Sequence, residues 1–137
     1  MISALVTQER IEVSTFSDAV KSDVYGAVVT FAGEVRDNDQ GKRVTSLTYE
    51  IHPSAQEVLL EIVTEVAAKH DLGNVAVAHR YGAIEIGESA FVVAVSSVHR
   101  GPAFAACSEL VDEVKARLPI WKYQVFADGT DEWVYCA

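Results

Sequence analysis

The sequence predicts an α+β domain, with a largely antiparallel sheet and two main helices packed on it. Three observations predict it. Segments 53–70 and 101–118 carry apolar residues at helical spacing. Around them run stretches of strand length rich in Val, Ile and aromatic residues. The last two of these are joined through Asp128-Gly129, a strong hairpin signal.

Taken in order, residues 14–23 (STFSDAVKSD) predict a short helix capped by Ser14 or Thr15. Residues 26–35 (GAVVTFAGEV) read as a strand covered on both faces, and 36–43 (RDNDQGKR) as a polar loop. Residues 44–52 give a second strand, so a hairpin is expected between 26–35 and 44–52. Residues 53–70 form the clearest helix, with Pro53 in its first turn. Its apolar stripe is Ala55, Val58, Leu59, Ile62, Val63, Val66 and Ala67; Glu57, Glu61 and Glu65 lie on the wet face, and Leu72-Gly73-Asn74 closes it. Residues 74–82 and 91–99 predict strands, the first with Val75, Val77 and His79 on one side. The second long helix, 101–118, has Pro102 in its first turn and stops at Pro119. Its expected stripe is Phe104, Cys107, Leu110, Val111, Val114 and Leu118. Strands 120–127 and 132–136 complete the sheet.

The 137 residues suit one domain, 1–137, and no Pro/Gly/Ser linker divides them. Half the residues are hydrophobic and 23% are charged, an ordinary globular balance. Asp+Glu number 20 against 11 Lys+Arg, a net charge of −9. That balance argues against nucleic acid and against an anionic membrane surface as partners. No apolar run approaches the roughly 20 residues of a membrane span. The opening MISALVTQER lacks the basic and apolar regions of a secretory signal, so a cytoplasmic protein is expected. Cys107 and Cys136 make no CxxC pair; Cys107 reads as a small buried hydrophobe and Cys136 as a mobile penultimate residue. The DNDQG loop fails as a calcium loop because Thr48 stands where its last ligand should be. The four histidines lack metal-ligand spacing. Neither a metal nor a cofactor is expected.

Positive residues carry the chemistry. His99-Arg100 falls where a strand ends and a helix begins, so unpaired backbone N–H groups and the Arg fork together suit an anion. The ordinary alternative is a packed His and a surface ion pair. His79-Arg80 is the same dipeptide with no helix after it, and a structural role is expected. Arg36 stands at a strand end, at the mouth of the polar loop. Lys115 and Lys122 flank Pro119-Ile120-Trp121. Lys115 suits a helix C-terminus and lies about 75° from its stripe's centre. The chain must turn sharply at Pro119, so the two ammonium groups could converge; neighbouring lysines disfavour each other's charge, and one could then act as a base or nucleophile.

Read together, FAGEVR (31–36), SSVHRGPAF (96–104) and KARLPIWK (115–122) occur in an order that closely resembles the catalytic (large) subunit family of molybdopterin synthase. The resemblance covers roughly residues 24–134. It implies a hammerhead-like α/β fold and a homodimer. Each copy would bind a small ubiquitin-like sulfur-carrier subunit, giving a heterotetramer. The carrier's C-terminal Gly-Gly thiocarboxylate would donate sulfur to cyclic pyranopterin monophosphate and form the molybdopterin dithiolene. The resemblance implies Lys115 and Lys122 as active-site lysines; Glu34, Val35 and Arg36 as a substrate-binding strand end; His99 and Arg100 as residues for the substrate anion; and Tyr123 and Gln124 as part of the same segment. The family carries a basic residue and then an acid where Tyr123 and Gln124 stand, and its tail beyond the Trp-Val is longer. Two other readings stand beside it: a non-catalytic module sensing an anionic nucleotide or metabolite, which would use the same Arg and His residues with no need for Lys115, and a degenerate scaffold, suggested by Tyr123-Gln124, that binds the carrier without turnover.

Overall fold

The computed structural model describes residues 1–135, so the expectation for Cys136 lies outside the described residues. In chain order the elements are β1 (Ile2–Thr7), α1 (Val13–Val20), β2 (Ala27–Glu34), β3 (Asn38–Asp39), β4 (Lys42–Ile51), α2 (Ala55–Ala67), β5 (Val75–Arg80), β6 (Gly82–Ile84), β7 (Ser89–Ser97), α3 (Arg100–Arg117), β8 (Ile120–Phe126) and β9 (Asp131–Tyr135). The α+β expectation holds, but the strands form two sheets. One runs β1-β5-β7-β2; the other runs β3-β4-β8-β9, with β6 added to β4. Every pairing is antiparallel except β1 with β5.

The hairpin expected between 26–35 and 44–52 does not form. β2 pairs with β7, whereas β4 pairs with β8. The register of β2 slips between Gly33 and Glu34, and the chain then leaves its sheet. The loop makes its own small hairpin, β3–β4, around Gln40 and Gly41, which both take positive φ (53° and 81°). That turn sends β4 into the second sheet.

The helices correct the expectations in detail. α1 begins after Glu12, and no side chain caps it, so neither Ser14 nor Thr15 serves. α2 ends at Ala67, well before Gly73. Gly73 is needed for another reason: a Cβ there would lie 2.3 Å from the Tyr25 ring. α3 buries Ala103, Ala106, Cys107, Leu110 and Val114, while Phe104 is 59% exposed. Its buried stripe is therefore turned toward the alanines, and Lys115 lies further from its centre than the sequence implied. Small alanines let α3 lie close against β2 and β7, where a Phe would hold it off.

The main core sits between the first sheet and helices α2 and α3. Leu59, Ile62, Val63, Val77, Val93, Val95, Leu110 and Leu118 are all fully or almost fully buried there. β5 and β7 read as continuous apolar runs because both faces are covered: α1 packs on one side, α2 and α3 on the other. Among the described residues no helix is long and apolar enough to cross a membrane.

Candidate active site

A cavity of about 320 Å³ opens where the two sheets meet the C-terminal end of α3. Each wall follows from local structure. The irregular end of β2 supplies Gly33, Glu34, Val35 and Arg36. Val35 is held by Val35 N–H donating to Glu88 O (3.0 Å) and Gly87 N–H donating to Val35 O (2.8 Å). The β3–β4 hairpin adds Asn38 and Asp39. Strands β4 and β8 pair Leu47 with Gln124 and Tyr49 with Lys122, so all four side chains face the cavity. The first sheet adds His79 and Phe91, themselves cross-strand partners, with Ala90 beside them. Lys115 arrives from the last turn of α3.

Lys115 and Lys122 thus share one cavity, and Arg36 stands at its lip. The turn is made as Pro119 predicts: α3 stops at Arg117, Leu118 N–H donates to Val114 O (2.9 Å), and β8 begins at Ile120. Three cations (Arg36, Lys115, Lys122) face two carboxylates (Glu34, Asp39) among the lining residues. The cavity therefore carries a positive excess within a protein of net charge −9. The acids are partly engaged. Arg36 Nη2 is 4.0 Å from Asp39 Oδ1, and the buried Gln124 donates through Nε2 to Asp39 Oδ2 (2.7 Å) and Glu132 Oε1 (3.0 Å). A neutral amide stands where the resemblance leads one to expect an acid, and it draws two carboxylates to itself.

Three expected residues are not in this cavity. Tyr123 follows strand alternation to the opposite face; its ring lies 4.8 Å from that of Trp133, and its hydroxyl donates to Asp131 Oδ2 (2.7 Å). That bond to a carboxylate raises the Tyr123 pKa. His99 and Arg100 are exposed at the start of α3. Fifteen residues of helix separate Arg100 from Lys115, about 22 Å at 1.5 Å per residue. One chain therefore does not bring this pair to its own lysines. His99 is the N-cap residue of α3 without a side-chain capping bond, and its carbonyl accepts from the Ser97 hydroxyl.

The structure adds residues that sequence reasoning did not select: Asp39, Tyr49, Phe91 and above all His79. The alternation of Val75, Val77 and His79 marked the last as inward-facing, but no sequence signal told a cavity wall from a core. His79 has no exposed surface, and burial depresses its pKa to about 4, with the charge of Lys115 acting in the same direction. Cys107 is buried in an apolar setting that pushes its pKa up to about 11, which suits a packing role rather than a nucleophile.

The MoaE protein family matches residues 6–117. The molybdopterin synthase catalytic subunit of Oryza sativa subsp. indica is 43% identical over 121 residues, 88% of this chain; the chain spans 63% of that relative's length. The subunit of that name from Thermoplasma volcanium is 36% identical over 129 residues, 93% of this chain and 94% of the relative. Among solved structures, molybdopterin synthase from Staphylococcus aureus superposes with a TM-score of 0.85 at 30% identity, covering 94% of each chain. A complex of subunits 1 and 2 of the molybdopterin-converting factor from Helicobacter pylori has a TM-score of 0.72 at 18% identity, a likeness of fold alone.

Proposed function

This chain belongs to the MoaE protein family, and we propose that it is the catalytic subunit of molybdopterin synthase, a sulfurtransferase. Its substrates are cyclic pyranopterin monophosphate and a ubiquitin-like carrier whose C-terminal Gly-Gly ends in a thiocarboxylate. The observation that carries the reading is the meeting of Lys115 and Lys122, from different elements, with Arg36 on one cavity. Phosphate and thiocarboxylate are both anions, and a positive recess in an otherwise acidic protein concentrates them.

Arg36 binds the pterin phosphate at the lip. Lys115 faces the carrier's terminal carbonyl and polarises it as negative charge develops on its oxygen. Lys122 positions the pterin and moves a proton as sulfur replaces oxygen. In each transfer a C–S bond forms on the pterin side chain and a C–O bond breaks; water then cleaves the acyl–sulfur bond and leaves the carrier as a carboxylate. Two transfers supply both dithiolene sulfurs. Glu34 and Val35 shape the substrate end of the cavity, and Gln124 holds Asp39 in place beneath it. His99 and Arg100 act on the substrate anion from a second copy of the chain, because α3 holds them far from their own cavity. Tyr123 supports β8 from its other face.

Turnover of the pterin with thiocarboxylated carrier tests this. Lys115→Ala should nearly abolish product, and Cys107→Ala should leave activity close to that of the parent protein. Normal product formation by Lys115→Ala would end the assignment. Tight carrier binding without product in the parent protein would turn the reading to a non-catalytic scaffold.

A further inference from the structure

His79 lies at the cavity floor and takes no part in the roles assigned above. Strand alternation brings it to a face whose other members, Val75 and Val77, are apolar. Its ring stacks on Phe91 (centroids 5.3 Å, 23°) and meets Tyr49 edge-on (5.1 Å, 81°). Nδ1 lies 2.8 Å from the Arg80 carbonyl oxygen, and a carbonyl can only accept, so Nδ1 carries the proton and donates. Nε2 is then a bare lone pair. It is shut off from solvent and meets no hydrogen-bond partner among the described residues. Buried polar atoms are almost always met in native folds, and an unmet one facing a cavity points to what the cavity receives. Burial keeps the ring neutral, so Nε2 accepts across the neutral pH range.

We propose that His79 is a substrate-specificity residue: its Nε2 accepts a hydrogen bond from an uncharged ring N–H of the bound nitrogen heterocycle, which lies against the aromatic floor of Phe91 and Tyr49. The charge of Lys115, felt at the imidazole, disfavours a cationic donor at the same place. Because Nε2 has no exposed surface, entry of the ring displaces a neighbouring side chain of the cavity wall. A ligand without a donor on that edge leaves the acceptor unmet and is rejected. The inference rests on the proposed pterin substrate and names the group that reads it.

Equilibrium binding of cyclic pyranopterin monophosphate, followed by calorimetry, tests it on three proteins. His79→Asn keeps an amide N–H for the Arg80 carbonyl and removes the acceptor at Nε2; binding should weaken about 10- to 100-fold. His79→Gln returns a carbonyl oxygen near that point and should recover most of the loss. Circular dichroism and carrier binding confirm that each variant is folded. The parent protein gives an arm that needs no variant: of the analogues N-methylated at each ring nitrogen in turn, one should lose affinity to a similar degree. A folded His79→Asn protein that binds like the parent overturns the role of His79 alone, as does a full set of methylated analogues that bind equally. Absence of pterin binding by the parent protein overturns the proposed function, and the role of His79 with it.

Discussion

The chain contains the dipeptide His-Arg twice, at 79–80 and at 99–100, and the two copies meet opposite fates. His79 is fully buried at the floor of the cavity, and Arg80 is largely buried, donating to the Gln8 carbonyl (3.1 Å) and to Glu88 (3.3 Å). His99 and Arg100 stand exposed at the start of α3. The sequence favours the second pair as the functional one, since a helix start attracts anions. The fold brings His79 to the lysine cavity, turns Arg80 toward Gln8 and Glu88, and leaves the second pair exposed at the start of α3. Chemistry follows from what surrounds a residue, and an identical pair of side chains is a sealed wall in one place and an open hand in the other.

Mutation at the two sites sharpens that contrast. The largest effect is expected from Arg100→Ala, which should lower turnover about 100- to 1,000-fold, as loss of a charge-stabilising donor does, while the melting temperature stays unchanged. A normal rate would remove the second pair from the site. Next comes His79→Ala, which deletes a ring packed between Phe91 and Tyr49. By analogy with buried aromatic truncations it should cost about 3–5 kcal/mol in urea unfolding. A somewhat smaller effect is expected from acid. The folded pKa of His79, about 4, lies below its ordinary 6.5. Above pH 6.5 the ring is neutral in both states and contributes nothing. Between 6.5 and 4 the unfolded chain takes up a proton that the folded chain refuses, so stability falls as pH falls, by up to about 3 kcal/mol. The bond to the Arg80 carbonyl opposes this shift, and the charge of Lys115 acts with it. His79→Gln should remove this component from the pH dependence of the urea midpoint; an unchanged slope would show that His79 titrates normally. The smallest effect on stability is expected from His99→Ala, an exposed position, whose unfolding free energy in urea should stay within about 0.5 kcal/mol of the parent's.

Much of the architecture was legible because it rests on local signals. The stripe of α2, the stop at Pro119 and the Asp128-Gly129 turn each act within a few residues, and each reappears in the structure. Strand partners are settled by distant segments, so the sequence joined β2 to β4 although they belong to different sheets. β1 was missed because Ile2–Thr7 is half exposed and lies parallel to a strand some seventy residues away, with no local turn to announce it. On α3, Phe104 looked like core and Ala103 did not, because hydrophobicity alone says nothing of how closely a helix must approach its sheet. At the site, the sharp turn after Lys115 was readable and Tyr49, Asp39 and Phe91 were not: they meet only when the β3–β4 hairpin and β7, from distant parts of the chain, come together.

The length of α3 sets a rule for any assembly built from this chain. An eighteen-residue rod keeps Lys115 and Arg100 at opposite tips, so a chamber completed by a companion's tip must be repaid in kind under two-fold symmetry. Two crippled partners can then rescue one another. Mixing Lys115→Ala chains with Arg100→Ala chains would assemble one chamber with both defects and one with neither, and turnover would rise well above that of two proteins that are each severely impaired alone.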